Sequence, residues 1–269
     1  MKHRPLVTPD YRSVPSGEED SMDSYSNISS RQLLFLADTH FRNPRLEAEA
    51  ERRRRFIGFL ETVPDGAALF LLGDIFDFYF EYRSVVLKRY FDILYALRRS
   101  VERGVEVHFL GGNHDFWVGD FLSEEIGLTL HGGDDILIDS QGRKICCSHG
   151  DLVLPNDGSY RRIRAIIRNR HVINAARLLH PDLMSAIATR ISSGSKNRKR
   201  GALADMANHL CDIAPGEFFS KGNDVFIIGH VHYPLHRVYD DRDFMIVGDW
   251  IESYTYGKLE GGRLSLEKV

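Results

Sequence analysis

The sequence predicts an α/β fold in which a mixed sheet, or a pair of sheets, is flanked by helices. Helical patterns at 47–63 and 85–104 separate the early β-type runs, whereas later runs are neighbours along the chain. Several runs are continuously apolar, as expected for strands that are buried on both faces. The seven predicted strands span 32–37, 68–72, 105–110, 135–139, 144–148, 224–229 and 243–248.

Length and polarity predict the domain organisation. The chain has 269 residues, 43% of them hydrophobic, and can therefore bury a sizeable core. Residues 1–30 are polar and rich in Ser, Pro, Asp and Glu, without an apolar period, so we expect a flexible extension there. The folded domain is predicted to occupy residues 31–269.

Apolar stretches and cysteines indicate the compartment. A long apolar stretch, at 67–72, ends well short of the roughly 20 residues that a membrane-spanning helix needs. Cys146, Cys147 and Cys211 form neither a disulfide framework nor a C-x-x-C zinc pattern. The N-terminus also lacks the pattern of a secretory signal, so we expect a soluble protein of the cytoplasm.

The segment between residues 148 and 224 differs from the rest of the chain. Its apolar pattern predicts three or four short helices, and the nine Arg and two Lys of residues 161–200 face one acid, Asp182, in a chain of net charge −3. We expect a basic helical insertion at about 155–215. Its two apolar faces are Leu183, Met184, Ile187 and Ile191, and Leu203, Met206, Leu210 and Ile213.

Five β-type runs end directly in residues that can bind a metal ion. Open α/β sheets hold their sites at the carboxyl ends of strands, and side chains at i and i+2 of an extended segment point to the same side. We therefore expect these side chains to converge on one centre. In chain order they are Asp38 and His40, Asp74, Asn113 and His114, His149, and His230 and His232.

The residue types predict the class of metal. Carboxylates, imidazoles and one amide, without a thiolate, suit borderline or hard divalent ions such as Mn, Fe, Co or Zn. The ligands are too numerous for one tetrahedral ion. Two ions roughly 3.5–4 Å apart, bridged by a carboxylate, would use them all and hold a hydroxide for in-line attack on phosphorus.

Each residue alone has a simpler explanation. Asp38 and Asp74 are common turn or helix caps, His149 or His230 could be an ordinary core histidine, and Asn113 follows two glycines as turn residues do. The joint occurrence at five strand ends favours the metal site.

The motifs DTH 38–40, GDIFD 73–77, GNHD 112–115, HGD 149–151 and GHVH 229–232 resemble, in order, those of the calcineurin-like metallophosphoesterases. This resemblance implies a four-layer αββα sandwich with a dinuclear metal centre at one edge. It assigns Asp74 as the bridging ligand. The first metal would have Asp38, His40, Asp74 and His232, and the second Asp74, Asn113, His149 and His230.

The segment after HGD is similar to the UDP-2,3-diacylglucosamine diphosphatases of the lipid A pathway, which insert a helical cap here. The similarity implies a diacylated UDP-sugar substrate cleaved to UMP and a lipid monosaccharide phosphate, with manganese as the expected metal. In the best-known members an arginine stands at the position of His114. The implied substrate-binding residues are Asn113, His114, Asp157, Tyr160, Arg190, Ser195, Lys196 and His230.

Chemical roles are expected for the two residues after Asn113. His114 would donate a proton or a hydrogen bond to the phosphoryl oxygens or to the leaving group, and Asp115 would brace it. A turn or helix cap is the alternative role for Asp115.

The basic cap is expected to bind the diphosphate and acyl chains, with peripheral contact at the cytoplasmic face of the inner membrane. The aromatic run at 76–82 lines the same cavity or packs in the core. An alternative substrate is a nucleotide or nucleic-acid phosphodiester. Nucleic acid is disfavoured because residues 161–200 contain no Phe, Trp or Tyr for base stacking. A non-enzymatic scaffold on this fold would have lost ligands, and here none is lost.

Overall fold

The computed structural model describes residues 25–42, 47–153, 158–192, 200–220 and 222–269. Among them are twelve strands and six α-helices. The strands are β1 Ser26–Asn27, β2 Gln32–Leu36, β3 Ala68–Leu72, β4 Glu106–Leu110, β5 Thr129–His131, β6 Asp135–Ser140, β7 Arg143–Ser148, β8 Val225–Ile228, β9 Leu235–Tyr239, β10 Arg242–Ile246, β11 Thr255–Glu260 and β12 Arg263–Lys268. The α-helices are α1 Glu47–Thr62, α2 Phe91–Glu102, α3 Gly158–Ile167, α4 Arg170–Ala176, α5 Pro181–Ser192 and α6 Arg200–Glu217.

The strands form two sheets of six strands each. The first sheet has the order β12-β11-β2-β3-β4-β5 and the second β1-β6-β7-β8-β10-β9. In the first, β2, β3 and β4 run parallel, and in the second β7 runs parallel to β8. The carboxyl ends of parallel neighbours meet at one edge of their sheet, and this arrangement places the predicted ligands.

Apolar side chains fill three layers. Between the sheets, residues such as Phe35 and Phe70 of the first sheet pack with Ile145 and Ile227 of the second. Helices α1 and α2 cover the outer face of the first sheet, and α6 covers that of the second. The predicted α/β fold, a four-layer αββα sandwich, is confirmed.

The predicted cap segment, about 155–215, divides into two parts. Leu210 of α6 is fully buried, and Met206 and Ile213 pack beside it against the second sheet, so α6 is an outer layer of the sandwich. The apolar face predicted for α5 points largely to solvent instead, because Leu183 and Ile187 are 50% and 43% exposed. We refer to α3, α4 and α5 together as the cap.

Other differences from the prediction concern edges and ends. The helix predicted at 85–104 is α-helical only from Phe91 to Glu102, preceded by the 3₁₀ turn Lys88–Tyr90, because Leu87 is extended and buried. Strands β1, β5, β9, β11 and β12 were not predicted. The three cysteines are buried, as expected. None of the described helices is long and apolar enough to cross a membrane.

The buried His108 and the half-buried His131 form a pair away from the predicted ligands. His108 stacks on Phe70, with ring centroids 4.5 Å apart, and its Nδ1 lies 3.1 Å from Nε2 of His131. Nε2 of His108 is buried without a hydrogen-bond partner. Burial, and then His131, lower the pKa of His108 to about 4. The fold therefore holds this imidazole neutral.

Acid should destabilise the protein through His108. The unfolded chain takes up this proton near pH 6.5 and the folded chain only near pH 4, so the stability that neutral His108 gives above pH 6.5 is lost as the pH falls towards 4. We expect His108→Phe to reduce the loss of unfolding free energy between pH 7 and 4.5 by about 2 kcal/mol in urea titrations. The same loss in both proteins would contradict this. His209→Phe, at an exposed position of α6, is the control.

Candidate metal centre

The loops that follow β2 and β3 begin as a continuation of the sheet. The backbone N–H of Asp38 donates to Gly73 O at 3.1 Å, and that of His40 donates to Asp74 O at 2.9 Å. The backbone N–H of His230, after β8, donates to Asp38 Oδ2 at 2.6 Å and links the two sheets. These predicted ligands therefore lie on loops that are joined by hydrogen bonds.

Five predicted ligands have left-handed backbone conformations. Their φ angles are 55° at Asp38, 43° at His40, 55° at Asp74, 63° at His230 and 59° at His232. This region costs energy for any residue with a Cβ, although Asp, Asn and His adopt it more readily than others. The sharp turns keep the side chains at the sheet edge.

Glycines allow the loops to approach one another. A Cβ on Gly112 would lie 2.2 Å from Asp74 Oδ1, and one on Gly229 would lie 2.9 Å from Asp38 Oδ2. A Cβ on Gly73 would lie 2.6 Å from His149 Nδ1. Close packing at the site therefore requires glycine at these three positions, which directly precede Asp74, Asn113 and His230.

The first group of ligand atoms comes from the loops that follow β2 and β8. His40 Nε2 and His232 Nε2 are 3.3 Å apart, and Asp38 Oδ1 lies 3.8 Å from the former and 3.5 Å from the latter. Asp38 and His40 are buried, whereas His232 is partly exposed. One ion between these three atoms would be reached from solvent on the His232 side.

Asp74 lies between this group and a second one. Its Oδ2 is 3.6 Å from both His40 Nε2 and His149 Nε2. His149 Nε2 is also 3.1 Å from Asn113 Oδ1, and the ligand atoms of Asp74, His149 and His230 lie within 4.8 Å of one another. The structure thus brings all seven predicted ligands together, with Asp74 at the position expected of the bridge.

The polar atoms of the cluster fit divalent cations. Asp38 Oδ1 is buried without a hydrogen-bond partner. Although burial opposes charge on both histidines, Asp74 raises the pKa of His149 to about 10 and Asp38 raises that of His232 to about 9. The carboxylates therefore attract positive charge into a buried place, and divalent cations would supply it.

Neighbouring groups orient three of the imidazoles. His149 Nδ1 lies 2.9 Å from Leu72 O and His114 Nδ1 lies 2.9 Å from Asp77 O, so each Nδ1 carries the proton and Nε2 faces the cluster. His232 Nδ1 is 3.5 Å from the Asp249 carboxylate. His114 Nε2 is 3.9 Å from Asp74 Oδ2 and lies at the rim of the site.

Asp115 does not brace His114, contrary to the prediction. Its carboxylate accepts backbone N–H groups of Asp74, Ile75 and Phe76 at 3.1, 2.7 and 3.1 Å, and that of Gly112 at 2.8 Å. The Asp77 carbonyl orients His114 instead. Asp115 caps the turn, which was the alternative role expected for it, because its buried oxygens satisfy N–H groups that the sharp turn leaves unpaired.

The predicted substrate residues of the cap have different outcomes. Tyr160, in α3, donates its hydroxyl to Asp151 Oδ2 at 2.7 Å and so stands beside the HGD motif. Arg190, in α5, is exposed. Asp157, Ser195 and Lys196 lie outside the described residues, so their assignments stay predictions.

Acidic and basic residues that we did not predict support the site. Asp151 binds Arg164 Nε at 3.0 Å as well as Tyr160, and thereby ties the first cap helix to the end of β7. Asp249 also accepts N–H groups of Ile251 and Glu252 at 3.1 and 2.9 Å. Asp151 belongs to the HGD motif, so the sequence contained a signal for its place at the site. Asp249 follows β10, another strand end.

The aromatic run at 76–82 forms the seat of the cap as well as part of the core. Phe78 and Phe80 pack with Met184 of α5, whereas Phe76 and Tyr79 belong to the core under α1 and α2. Trp117 Nε1 donates to Ile167 O at 2.9 Å. The core-packing role expected for this run is therefore present, whereas its role in lining a substrate cavity stays a prediction.

Gly112→Ala should disrupt the centre. The new Cβ would displace Asp74, so we expect at least tenfold weaker binding of Mn²⁺ by calorimetry. Gly58→Ala in α1 is the matched control, since nothing lies within 4 Å of its Cβ position. That control should keep Mn²⁺ affinity and stabilise the helix by about 0.5–1 kcal/mol. Unchanged Mn²⁺ affinity in Gly112→Ala would contradict the arrangement.

This chain is similar to known proteins over most of its length. A UDP-2,3-diacylglucosamine hydrolase of Porphyromonas gingivalis (strain ATCC BAA-308 / W83) is 27% identical over 88% of this chain and 97% of its own length. One of Xanthomonas oryzae pv. oryzae (strain PXO99A) is 30% identical over 87% of this chain and 98% of its own length. A solved structure described as a novel archaeal phosphodiesterase has a TM-score of 0.44 and 13% identity over 88% of this chain and 99% of that one. The profile of the calcineurin-like phosphoesterases matches residues 31–234, and the chain belongs to that family.

Proposed function

We propose that this protein hydrolyses the diphosphate of UDP-2,3-diacylglucosamine in the lipid A pathway. A water oxygen is added to the α-phosphorus, the bond from that phosphorus to the bridging oxygen breaks, and UMP and 2,3-diacylglucosamine 1-phosphate are released. The observation that carries the proposal is the Asp74-centred cluster beside a basic helical cap. Relatives named as UDP-2,3-diacylglucosamine hydrolases, similar over most of this chain, support the substrate.

Two divalent cations, which we propose to be Mn²⁺, would activate water and polarise the phosphoryl oxygens when bound to the seven ligands. Asp74 holds its Oδ2 between the two groups of ligand atoms. The Asp77 carbonyl turns His114 Nε2 towards the cluster. In its protonated form His114 donates from Nε2 to a phosphoryl oxygen or to the leaving oxygen.

The cap has the surface that a lipid substrate requires. Four apolar side chains of α3, α5 and the turn after α4 are at least half exposed: Ile163 58%, Ile166 59%, Leu178 87% and Leu183 50%. Leaving them in water is unfavourable, whereas acyl chains or the membrane interface would cover them. We propose that they contact the diacyl chains and the cytoplasmic surface of the inner membrane, with the arginines of the cap near the lipid phosphates. Tyr160, Arg190, and the undescribed Asp157, Ser195 and Lys196 are proposed as substrate contacts.

The substrate is tested by incubating Mn²⁺-loaded protein with UDP-2,3-diacylglucosamine and, separately, with bis(4-nitrophenyl) phosphate. We expect UMP from the lipid, and a loss of roughly 1,000-fold or more in turnover for Asp74→Ala, because the bridging carboxylate is gone. Asp65→Ala removes a carboxylate that is 74% exposed and should retain turnover. Cleavage of the simple diester alone would refute the lipid substrate and favour a nucleotide or nucleic-acid diester. Full turnover by Asp74→Ala would refute the metal centre.

Membrane contact is tested by flotation with vesicles that contain phosphatidylglycerol. We expect the double variant Ile166→Ser, Leu178→Ser to bind at least tenfold more weakly, since two exposed apolar side chains that the membrane would cover are lost. Val238→Ser, at a 58% exposed position on β9, should float like the wild type. If the wild type stays unbound, or the double variant floats equally well, the cap does not contact the membrane.

A further inference from the structure

Arg168 follows the last residue of α3 and lies against the loop that carries Asn113. Its Nη2 donates to Gly112 O at 3.2 Å, and its guanidinium lies 4.7 Å from the ring centroid of Phe116. Gly112 itself packs directly on the Asp74 carboxylate. Only one peptide unit therefore separates this guanidinium from the central ligand of the metal site.

The position of Arg168 is fixed from two sides. Trp117 Nε1 holds the carbonyl of the preceding residue, Ile167, at 2.9 Å. The guanidinium lies over the face of the Phe116 ring, which is a favourable cation–π arrangement. The side chain is 24% exposed, so it is held in place and yet partly open to solvent.

The carboxylates nearby do not fully pair Arg168. Its contact with Asp134 Oδ1, at 3.6 Å, is too long for a hydrogen bond, and that oxygen already accepts from Arg164. Asp151 is used by Arg164 and Tyr160. Arg168 Nε is buried without a hydrogen-bond partner. Burial, and then Arg164, lower the pKa of Arg168, so the attraction of the nearby carboxylates Asp151 and Asp134 does not offset the cost of its partial burial.

A partly unpaired guanidinium beside a phosphate-cleaving centre is suited to an anion. We propose that Arg168 binds the β-phosphate of the substrate while the α-phosphate lies at the metal ligands, and so makes the site selective for diphosphates over single phosphates. The guanidinium of an arginine can donate two parallel hydrogen bonds to two phosphate oxygens. Negative charge also grows on the β-phosphate as its bond to the α-phosphorus breaks. This inference rests on the proposed function for the identity of the substrate.

Ligand binding tests the inference without turnover. Calorimetry of Mn²⁺-loaded protein with UDP and with UMP should show tighter binding of UDP, and Arg168→Gln should reduce the UDP-to-UMP affinity ratio by tenfold or more. Arg168→Lys keeps the positive charge but cannot donate two parallel hydrogen bonds, so its UDP-to-UMP affinity ratio should lie between those of Arg168→Gln and the wild type. Arg162→Gln removes an exposed arginine from the same helix and should leave the ratio unchanged.

Kinetics give a second measure. Arg168→Gln should lower kcat/KM for UDP-2,3-diacylglucosamine by tenfold or more and change that for bis(4-nitrophenyl) phosphate, which has one phosphate, by less than about threefold. An equal loss for both substrates, or for UDP and UMP alike, would show a purely structural role and overturn the inference. An unchanged UDP-to-UMP ratio would also overturn it. A ratio that depends on Arg168 in a protein that releases no UMP would sink the proposed reaction alone.

Discussion

The carboxylate of Asp115 is the interaction on which the site depends. It is fully buried and accepts four backbone N–H groups, three from the turn after β3 and one from the loop after β4. Without these bonds the left-handed turn at Asp74 would leave N–H groups unpaired in the core, where each costs about 1–3 kcal/mol. The most central of the predicted ligands is thus positioned by a carboxylate that binds the backbone of its loop.

The sequence predicted the central strands and the ligands together, because both depend on short-range patterns. A continuous apolar run that ends in DTH or GNHD contains the buried strand and the ligand in one stretch. The edge strands were harder to predict, since β9 contains no buried residue and β1 has only two residues. The hairpin of β11 and β12 is predictable from alternating apolar and polar residues on both sides of Gly261 and Gly262. That pattern is weaker than the continuous apolar runs of the central strands.

Roles that depend on distant partners could not be predicted. The position of Asp115 next to His114 suggested that the two side chains interact, whereas the fold turns the carboxylate towards a loop some 40 residues earlier in the chain. Arg164 and Arg168 were two of many arginines in a basic segment, and only the structure separates them from the exposed ones. The apolar period of α6 correctly predicted a buried face but not which layer would bury it.

The left-handed turns restrict which ligands this edge of the fold can carry. Besides glycine, the residues that occupy such turns most readily are Asn, Asp and His, which are also donors for borderline and hard cations. At Asp38, His40, Asp74, His230 and His232, a change to cysteine or methionine would oppose the backbone before any metal was present. The backbone geometry thus favours side chains that bind borderline and hard cations. A substitution that changes the metal preference would meet less backbone strain at Asn113 and His149, where φ is not positive.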